Sequence, residues 1–290
     1  MGPFFNENQC SACHTDPATG GTGDQFVTKA TRFSPEEGCD LLAGLGGENV
    51  RTQATPLLAI HGILREEIPQ EATEVARFVV PFVFGLGLAE AIPLETLRGL
   101  ADPGDEDGDG ISGRLGMTPE GVPGRFGRKG DFATLEEFNA GAFFLEMGMT
   151  NPLHPGPETM RGRPFPNGAD PVPELEVDSA TLALVTDFVR FLAPLAQRIP
   201  GDPEGQAQVA RGEELFGALG CTGCHVPVLE TGSHPVEALS ERAVAFYSDF
   251  LLHDLGPELV GVCGPGASPT EHRTGILMGV GHRDLYLHSG

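Results

Sequence analysis

The clearest amphipathic pattern lies in the C-terminal half of the chain. Apolar side chains recur there at Leu182, Val185, Val189, Leu192 and Leu195. Intervals of three or four residues place such side chains on one face of a helix. Asp178 and Ser179 directly precede the pattern and are typical residues for a helix N-cap. The pattern therefore predicts a helix that begins near Asp178 and continues through Arg198.

Two further helices are predicted from their flanking residues. Thr134 and Glu137 form a capping-box pattern ahead of the apolar stretch 138–147. The residues from Glu204 to Leu219 form another candidate helix, which ends just before Cys221. Glycine (41 residues) and proline (25 residues) are frequent elsewhere, so we expect much of the chain to be loop.

Seven prolines crowd the segment from Asn151 to Val177. The segment shows neither a helical nor a strand period, which is typical of a junction between domains. A length of 290 residues suits one large domain or two ordinary ones. We therefore predict an N-terminal domain at residues 1–165 and a C-terminal domain at residues 166–290.

The strongest chemical signal is a pair of C-x-x-C-H motifs, Cys10-Ser-Ala-Cys13-His14 and Cys221-Thr-Gly-Cys224-His225. In this spacing two thiols can add to the vinyl groups of one haem while the adjacent imidazole binds the iron. Each motif therefore predicts one covalently attached c-type haem, with His14 and His225 as proximal ligands. A four-thiolate zinc site is the alternative, but such sites usually hold their cysteine pairs much closer in sequence. A thioredoxin-like redox pair has no use for the histidine.

The chain is strongly acidic, with 41 Asp and Glu against 18 Lys and Arg and a formal net charge of −23. This charge argues against nucleic acid and against anionic membrane surfaces as partners. It favours solubility, and it would also steer a basic electron carrier toward the protein. No run reaches the roughly 18 apolar residues that a membrane-spanning helix needs.

Both ends of the chain look cut. Haem is normally attached to C-x-x-C-H motifs outside the cytoplasm, so we expect a periplasmic protein whose export signal is not part of this sequence. Only nine residues precede Cys10, too few for a leading helix, and the chain stops at Gly290 without a closing helix. We therefore expect a mature form or a truncated chain, with a ligand or packing helix beyond either end.

An acidic loop is a candidate calcium site. Asp105, Asp107 and Asp109 alternate ahead of Gly110 and Ile111, as in the first half of an EF-hand-like loop. The three carboxylates and Ile111 are the predicted ligands. The twelfth position is Gly116 and not Glu, so a bidentate ligand must come from elsewhere or from water. A solvated acidic turn is the alternative.

Two cysteines remain after the haem motifs are assigned. Cys39 and Cys263 would tend to pair in an oxidising compartment, and their disulfide would join the two halves of the chain. Two buried free thiols are the alternative. A weak internal repeat also relates the halves, because Phe84-Gly-Leu-Gly-Leu-Ala-Glu90 resembles Met278-Gly-Val-Gly-His-Arg-Asp284.

Several stretches are similar to a family of di-haem c-type oxidoreductases, often labelled thiol oxidoreductases, that is related to bacterial di-haem cytochrome c peroxidases. The similar stretches are Gly2–Asn6, Gly85–Pro93, Asp105–Arg114, Gly124–Gly127, Tyr247–Gly256 and Arg273–His288. The resemblance implies a mainly α fold with two cytochrome c-like haem domains, a calcium ion, and hydrogen peroxide or a related oxidant as substrate. It also implies that the N-terminal haem is the peroxide site and that the C-terminal haem receives electrons.

Peroxide chemistry needs an open sixth position on the reacting iron and an acid–base group that moves a proton between the peroxide oxygens. Glu90 is the predicted catalytic residue, because we expect the stretch Gly85–Pro93 to face the first haem. A surface glutamate at a helix end is the alternative. The sixth ligand of the other haem stays open among Met278, His282, His288, His253, His61, Met147 and Met149.

These features together predict a periplasmic di-haem peroxidase that reduces hydrogen peroxide. Its electrons would come from a small carrier protein, a cytochrome c or a cupredoxin. Two other interpretations stay open. One is a di-haem electron-transfer cytochrome with no substrate, and the other is a ferryl-based oxidase of an organic substrate.

Overall fold

Helices and short strands alternate along residues 1–287, the part of the chain that the computed structural model describes. The helices are α1 (Pro56–Ala59), α2 (Leu86–Glu90), α3 (Leu94–Leu100), α4 (Leu135–Met147), α5 (Ser179–Arg190) and α6 (Pro203–Ala218). The strands are β1 (Phe4–Phe5), β2 (Gly23–Ser34), β3 (Gly38–Asp40), β4 (Gln53–Ala54), β5 (Glu74–Val80), β6 (Gly116–Met117), β7 (Pro123–Gly124), β8 (Leu229–Glu230), β9 (Ala243–Val244), β10 (Leu252–Asp254) and β11 (Glu271–Arg273).

The expected mainly α fold is wrong. Helices account for 25% of the structure and strands for 18%, in six helices and several small sheets. The largest sheet has the order β3–β2–β5, and its long antiparallel pair places Thr28 opposite Arg77. Both long strands are rich in β-branched and aromatic residues, which fit a half-buried pleated surface. The expectation came from haem-domain similarity, which carried no information about this sheet.

The three predicted helices are confirmed, and the end of one is corrected. Thr134 and Glu137 form the predicted capping box at the start of α4. The Asp178 carboxylate accepts the N–H of Thr181 at 2.8 Å and begins α5. This helix ends at Arg190 and not at Arg198, because Pro194 disfavours helical geometry in the residue before it. Within residues 1–287, every helix falls short of the length and apolar character that crossing a membrane requires.

The main hydrophobic core is built from both halves of the chain. It combines side chains of α2, α3 and α4 with side chains that follow residue 180, among them Leu88, Leu97, Leu135, Val189, Leu229, Phe246 and Phe250. Burial of each such side chain contributes roughly 1.5–3 kcal/mol. The proline-rich segment 151–177 contains neither helix nor strand, as predicted. A domain boundary at residues 165–166 stays a prediction.

The predicted disulfide is confirmed. Cys39 in β3 is bonded to Cys263, with their Cα atoms 5.7 Å apart. Cys263 is buried, and its backbone N–H donates to the Thr31 hydroxyl on β2. The bond therefore fastens a loop near the C-terminus to the N-terminal sheet.

Candidate functional site

The two C-x-x-C-H motifs adopt the same backbone turn. Each begins with a short 3-10 turn, at Cys10–Ala12 and at Cys221–Gly223. The N–H of His14 donates to the carbonyl of Cys10 at 3.0 Å, and the N–H of His225 donates to the carbonyl of Cys221 at 2.9 Å. One compact turn thus places two sulfur atoms and one imidazole at each motif.

The two imidazole rings are also oriented in the same way. The Nδ1–H of His14 donates to the carbonyl of Gly21 at 3.0 Å, and that of His225 donates to the carbonyl of Tyr247 at 2.8 Å. A carbonyl oxygen can only accept, so Nδ1 carries the proton and Nε2 is the nitrogen that can bind iron. A fixed tautomer of this kind is the usual second interaction of a metal-bound histidine.

The surroundings of the first motif disfavour a thiolate redox pair. Burial, followed by the charges of Glu7 and Glu146 and by the neighbouring Cys10, raises the pKa of the Cys13 thiol to about 11. Redox-active cysteines need a lowered thiol pKa in electropositive surroundings. Burial also lowers the pKa of His14, which favours the neutral imidazole that a metal ligand requires.

The second motif is preceded by the predicted helix α6, which ends three residues before Cys221. Its Phe216 ring lies edge-on to His225, with 6.3 Å between ring centroids, and edge-on to Tyr247 at 5.6 Å. No residue of α6 is buried, and its apolar Leu215 is 41% exposed. Propensity alone rarely stabilises a helix, which needs an apolar surface to pack on. A haem bound at Cys221 would supply such a surface, so the residues present fit the group.

The stretch 247–251 forms one wall of the second motif. The N–H of Asp249 donates to the carbonyl of Cys224, and that of Ser248 donates to the carbonyl of Val226, both at 3.0 Å. Tyr247, whose carbonyl holds His225, has a φ of 51°, which is rare for a bulky residue. The left-handed residue turns this carbonyl toward the imidazole, and strained backbone of this kind is concentrated at functional sites.

A buried histidine–aspartate pair lies beside Cys224. His253 Nε2 is 2.8 Å from Asp249 Oδ2, and its Nδ1 is 2.9 Å from the carbonyl of Ser112 and 3.6 Å from Cys224 Sγ. Burial alone would lower the pKa of His253, but Asp249 and Cys224 raise it to about 10. Both ring nitrogens face oxygen acceptors, on Ser112 and Asp249, so the ring carries both protons. With both nitrogens engaged, His253 is poorly placed as an iron ligand.

The other sixth-ligand candidates are dispersed. Met278 packs against the main core, and Met147 and Met149 pack against a smaller cluster that contains Phe143 and Leu182. His61 is exposed and His282 is half-buried. His288 lies outside the described residues. The choice among these candidates stays a prediction.

The structure gathers Asp102, Asp105 and Asp107, which can each offer a carboxylate oxygen within 4.8 Å of the others. Within residues 1–287 this is the only group of three or more acidic, histidine or cysteine side chains so arranged, and no cysteine belongs to it. The four motif cysteines are therefore not gathered into one ligand group within residues 1–287. Asp109 is not in the group, and its Oδ1 accepts the N–H of Ile111 at 2.8 Å. The ligand roles of Asp109 and Ile111 stay predictions.

Sequence reasoning missed Asp102, which directly follows Ala101 at the end of α3. Both of its carboxylate oxygens accept the N–H of Glu106, at 3.0 and 2.9 Å. Its position three residues before Asp105 lies outside the alternating pattern that revealed the loop. An acidic residue at the start of the Asp-Pro-Gly turn was the only available signal.

The acidic loop lies against the second motif. A Cβ atom added to Gly223, inside that motif, would be 2.3 Å from Cδ1 of Ile111. The next residue along the chain, Ser112, accepts the hydrogen bond from His253. A change in the loop can therefore alter the second motif at Gly223, and it can also shift His253, which lies beside Cys224.

Glu90 joins three helices. Its Oε1 accepts the N–H of Leu135 at the start of α4 at 2.8 Å, and its Oε2 accepts Nε of Arg190 at the end of α5 at 2.9 Å. The carboxylate is half-buried, with 23% of the side chain exposed. A proton-transfer role would require one of these hydrogen bonds to break. The catalytic role of Glu90 stays a prediction.

The two copies of the weak repeat share a local conformation and contact each other. Gly85 (φ 69°) and Gly279 (φ 78°) each precede a helical turn in the left-handed region that favours glycine. A Cβ added to Gly85 would be 3.4 Å from Cε of Met278, and one added to Gly279 would be 3.4 Å from the ring of Phe82. The repeat therefore lies at the contact between the halves.

The comparisons with known proteins agree with this geometry. Residues 67–286, about three quarters of the chain, match the sequence model of a family described as "di-haem oxidoreductase, putative peroxidase". The matched range contains the second C-x-x-C-H motif, and the first lies before it. Searches among curated proteins and among solved structures returned no match. On the family match, the chain belongs to the di-haem oxidoreductases.

Proposed function

We propose that this di-haem oxidoreductase is a periplasmic c-type peroxidase that reduces hydrogen peroxide with electrons from a small carrier protein. The observation that carries the proposal is the pair of equivalent turns, each of which presents two thiols and an imidazole with its Nδ1 engaged by a carbonyl. Cys10 and Cys13 would hold one haem, and Cys221 and Cys224 the other. His14 and His225 would be the axial ligands through Nε2.

When bound, the haems supply the redox-active iron that passes two electrons from the carrier to peroxide. The protein's own contribution is to orient each imidazole through the carbonyl of Gly21 or Tyr247. Two protons must also reach the peroxide oxygens, so that two molecules of water leave. Glu90 is the residue we propose for this proton transfer.

We assign peroxide reduction to the N-terminal haem and electron uptake to the C-terminal haem. The exposed apolar side chains Leu219 and Val228 flank the second motif in the sequence and suit the docking of a small carrier. The net charge of −23 would attract a carrier with a basic surface. A cytochrome c or a cupredoxin has the required size and chemistry.

We also propose a calcium ion at Asp102, Asp105 and Asp107, with further oxygen ligands from the backbone near Ile111 and from water. Three carboxylates suit a hard divalent cation. The contacts of Ile111 with Gly223 and of Ser112 with His253 would then hold the second motif in place. Removal of calcium with a chelator should alter the visible spectrum of one haem, and Asp105→Asn should copy the effect. A spectrum unchanged by both would refute the calcium site.

The periplasmic location is supported by the Cys39–Cys263 disulfide, because such bonds persist in oxidising compartments. Fractionation of cells that produce the protein, followed by haem staining of each fraction, tests the location. We expect the haem-stained band in the periplasmic extract. A band confined to the cytoplasm would contradict the proposal.

The function is tested by the spin state of the half-reduced protein and by peroxide consumption with a reduced cytochrome as donor. We expect one high-spin haem and turnover of peroxide. Two low-spin haems that leave peroxide untouched would instead identify an electron-transfer cytochrome. Slow consumption with formation of an oxidised organic product would identify an oxidase.

The role of Glu90 can be separated from its structural contacts by a matched pair of variants. Glu90→Gln removes the acid–base group and weakens the contact with Arg190, whereas Arg190→Gln weakens the same contact and keeps the carboxylate. We expect turnover to fall by about 10²-fold or more in Glu90→Gln, as for loss of a general acid–base group. Arg190→Gln should keep most of the activity. Equal losses in both variants would assign Glu90 to structure alone.

A further inference from the structure

One arginine side chain closes the C-terminal end of helix α2. Nη1 of Arg125 donates to three carbonyl oxygens, those of Ala89 at 3.0 Å, Glu90 at 3.1 Å and Ile92 at 2.6 Å. The last carbonyl groups of a helix lack partners within it. Ala89 and Ile92 are buried, with 0% and 2% of each residue exposed, so their carbonyls need donors from the protein. Arg125 supplies these donors from a single nitrogen atom.

The remaining carbonyl of this stretch is held from the other half of the chain. The N–H of Gly232 donates to the carbonyl of Ala91 at 2.8 Å. A Cβ added to Gly232 would be 3.0 Å from Cγ of Pro93. All four carbonyls from 89 to 92 therefore have donors, and the backbone on both sides of Glu90 is fixed.

The hairpin that carries Arg125 also holds the carboxylate of Glu90. The N–H of Arg125 donates to the carbonyl of Phe132 at 2.9 Å, and Phe126 and Phe132 exchange backbone hydrogen bonds. Helix α4 begins three residues after Phe132, at Leu135, whose N–H donates to Oε1 of Glu90 at 2.8 Å. One short segment thus contacts Glu90 at its backbone, through Arg125, and at its side chain, through Leu135.

The two arginines beside Glu90 contact different parts of it. Nε of Arg190 donates to the carboxylate, and this hydrogen bond competes with proton transfer by the carboxylate. Arg125 donates to the backbone carbonyl, so its hydrogen bond can persist while the carboxylate takes up or releases a proton. The backbone sets the direction of the Cα–Cβ bond of Glu90, and with it the region that the carboxylate can reach.

We propose that Arg125 is a positioning residue, which holds the backbone of Glu90 so that its carboxylate is aligned to move a proton between the peroxide oxygens. The proposal rests on the role of Glu90 stated under Proposed function. Arg125 acts through Glu90 and needs no contact of its own with peroxide. Misplacement of a reacting group by about 1 Å can lower a rate by about 10²-fold, so loss of this hold should be visible in turnover.

The geometry also predicts which substitution of Arg125 is tolerated. A guanidinium is usually favoured over an ammonium because its fork makes two parallel hydrogen bonds, whereas here one nitrogen meets three carbonyls. An ammonium offers three donors at one point. Lys129 makes such an arrangement in this chain, because its Nζ donates to the carbonyls of Ser268, Pro269 and Glu271. Arg125→Lys should therefore keep the contact that Arg125→Met loses.

The test is a double-mutant cycle in the haem-loaded protein. The variants are Arg125→Met, Glu90→Gln and their combination, with Arg125→Lys as the conservative variant. Arg98→Met is the matched control, because Arg98 is exposed on the next helix, α3, and pairs with Glu95 at the surface. For each protein we measure the turnover of peroxide with a reduced cytochrome, the haem content by the pyridine haemochrome assay and the free energy of unfolding.

We expect Arg125→Met to retain both haems and to lower turnover by about 10²-fold. Arg125→Lys should recover most of the lost turnover, and Arg98→Met should match the wild type. The combination of Arg125→Met with Glu90→Gln should be no slower than Glu90→Gln alone, because a residue that acts only through Glu90 then has no acid–base group to position. If Arg125→Met does not retain haem, Arg125→Gln, which keeps amide donors on a shorter side chain, takes its place in the cycle.

Two results would overturn the proposal and leave the role of Glu90 intact. One is wild-type turnover in Arg125→Met. The other is a combined variant in which the two separate losses multiply, which would assign Arg125 to the general stability of the fold. Wild-type turnover in Glu90→Gln would refute the role of Glu90 and the positioning by Arg125 together. A wild-type protein that leaves peroxide untouched would refute the peroxidase function as well.

Discussion

The two C-x-x-C-H motifs share a turn and a histidine orientation but differ in what supports them. His14 is held by Gly21, seven residues further along the same loop. His225 is held by Tyr247, which is 22 residues away, and Phe216 of α6 lies edge-on to its ring. The second motif also contacts Ile111 from the acidic loop.

The same C-x-x-C-H pattern is therefore stabilised in two different ways within one chain. The first motif is held mainly by a short local loop, with Pro81 and Glu146 as its remote neighbours, so distant substitutions should change it less than the second motif. The second motif depends on the adjacent helix α6 and on two remote segments, the stretch 247–251 and the acidic loop, and a substitution in either remote segment can alter the motif.

The cysteine pairs give the largest effect. We expect Cys10→Ala with Cys13→Ala, and Cys221→Ala with Cys224→Ala, to remove one covalent haem each, because thioether bonds require both thiols. Intact-protein mass spectrometry measures the loss. Cys39→Ser with Cys263→Ser is the control and should retain both haems. If two haems stay attached after both cysteines of a motif are replaced, that motif is not a site of covalent haem attachment.

Asp249→Ala should destabilise the protein by about 3–5 kcal/mol, because it leaves the buried His253 charge without its partner. Chemical denaturation measures the free energy of unfolding, and the visible spectrum reports which haem changes. We expect only the C-terminal haem to change. Asp187→Ala, which removes an exposed partner of Arg190, is the control and should cost less than about 1 kcal/mol. An equal spectral change at both haems would contradict the asymmetry.

Loss of the disulfide should cost about 2–4 kcal/mol, because the bond restricts a long loop in the unfolded chain. Cys39→Ser with Cys263→Ser tests this by denaturation in guanidinium chloride. Both haems should stay attached with unchanged spectra, since Cys39 and Cys263 lie outside both C-x-x-C-H motifs. A selective change at one haem would show that the link also shapes that site.

Glu271 gives the smallest effect, and that effect depends on pH. Burial alone would raise the pKa of Glu271, but hydrogen bonds from Arg114 and Ser268 lower it below its ordinary value of 4.5. The resulting stabilisation is complete above about pH 4.5 and is lost as the pH falls through the lowered pKa. Glu271→Gln should therefore cost about 1 kcal/mol at neutral pH and less in acid. A cost that stays constant from pH 7 to pH 3 would contradict this account.

Local sequence patterns were sufficient to predict structures whose hydrogen bonds lie within one short segment. The Thr134–Glu137 capping box, the Asp178 N-cap and the two haem turns each depend on residues within a few positions. The pairing of β2 with β5 joins segments some fifty residues apart, and no local pattern specifies such a partner. The end of α5 was mispredicted although Pro194 is visible in the sequence, because the apolar spacing continues through Leu195.

Most of the candidate site outside the haem motifs was also beyond sequence reasoning. The role of His253 depends on Asp249 four residues before it and on Ser112 from the other half of the chain. Arg128 and Arg273 lie more than 140 positions apart in the sequence and become neighbours only in the folded protein. Asp102 joins the acidic group because α3 ends beside the loop.

The Cys39–Cys263 bond changes what a protease would do to this protein. A single cut in the proline-rich segment 151–177 would produce two fragments, each with its own C-x-x-C-H motif. Because the bonded cysteines lie on opposite sides of the cut, the fragments would migrate as one band on a non-reducing gel. Only reductant would separate them into two polypeptides, so a nicked sample would look like the intact protein.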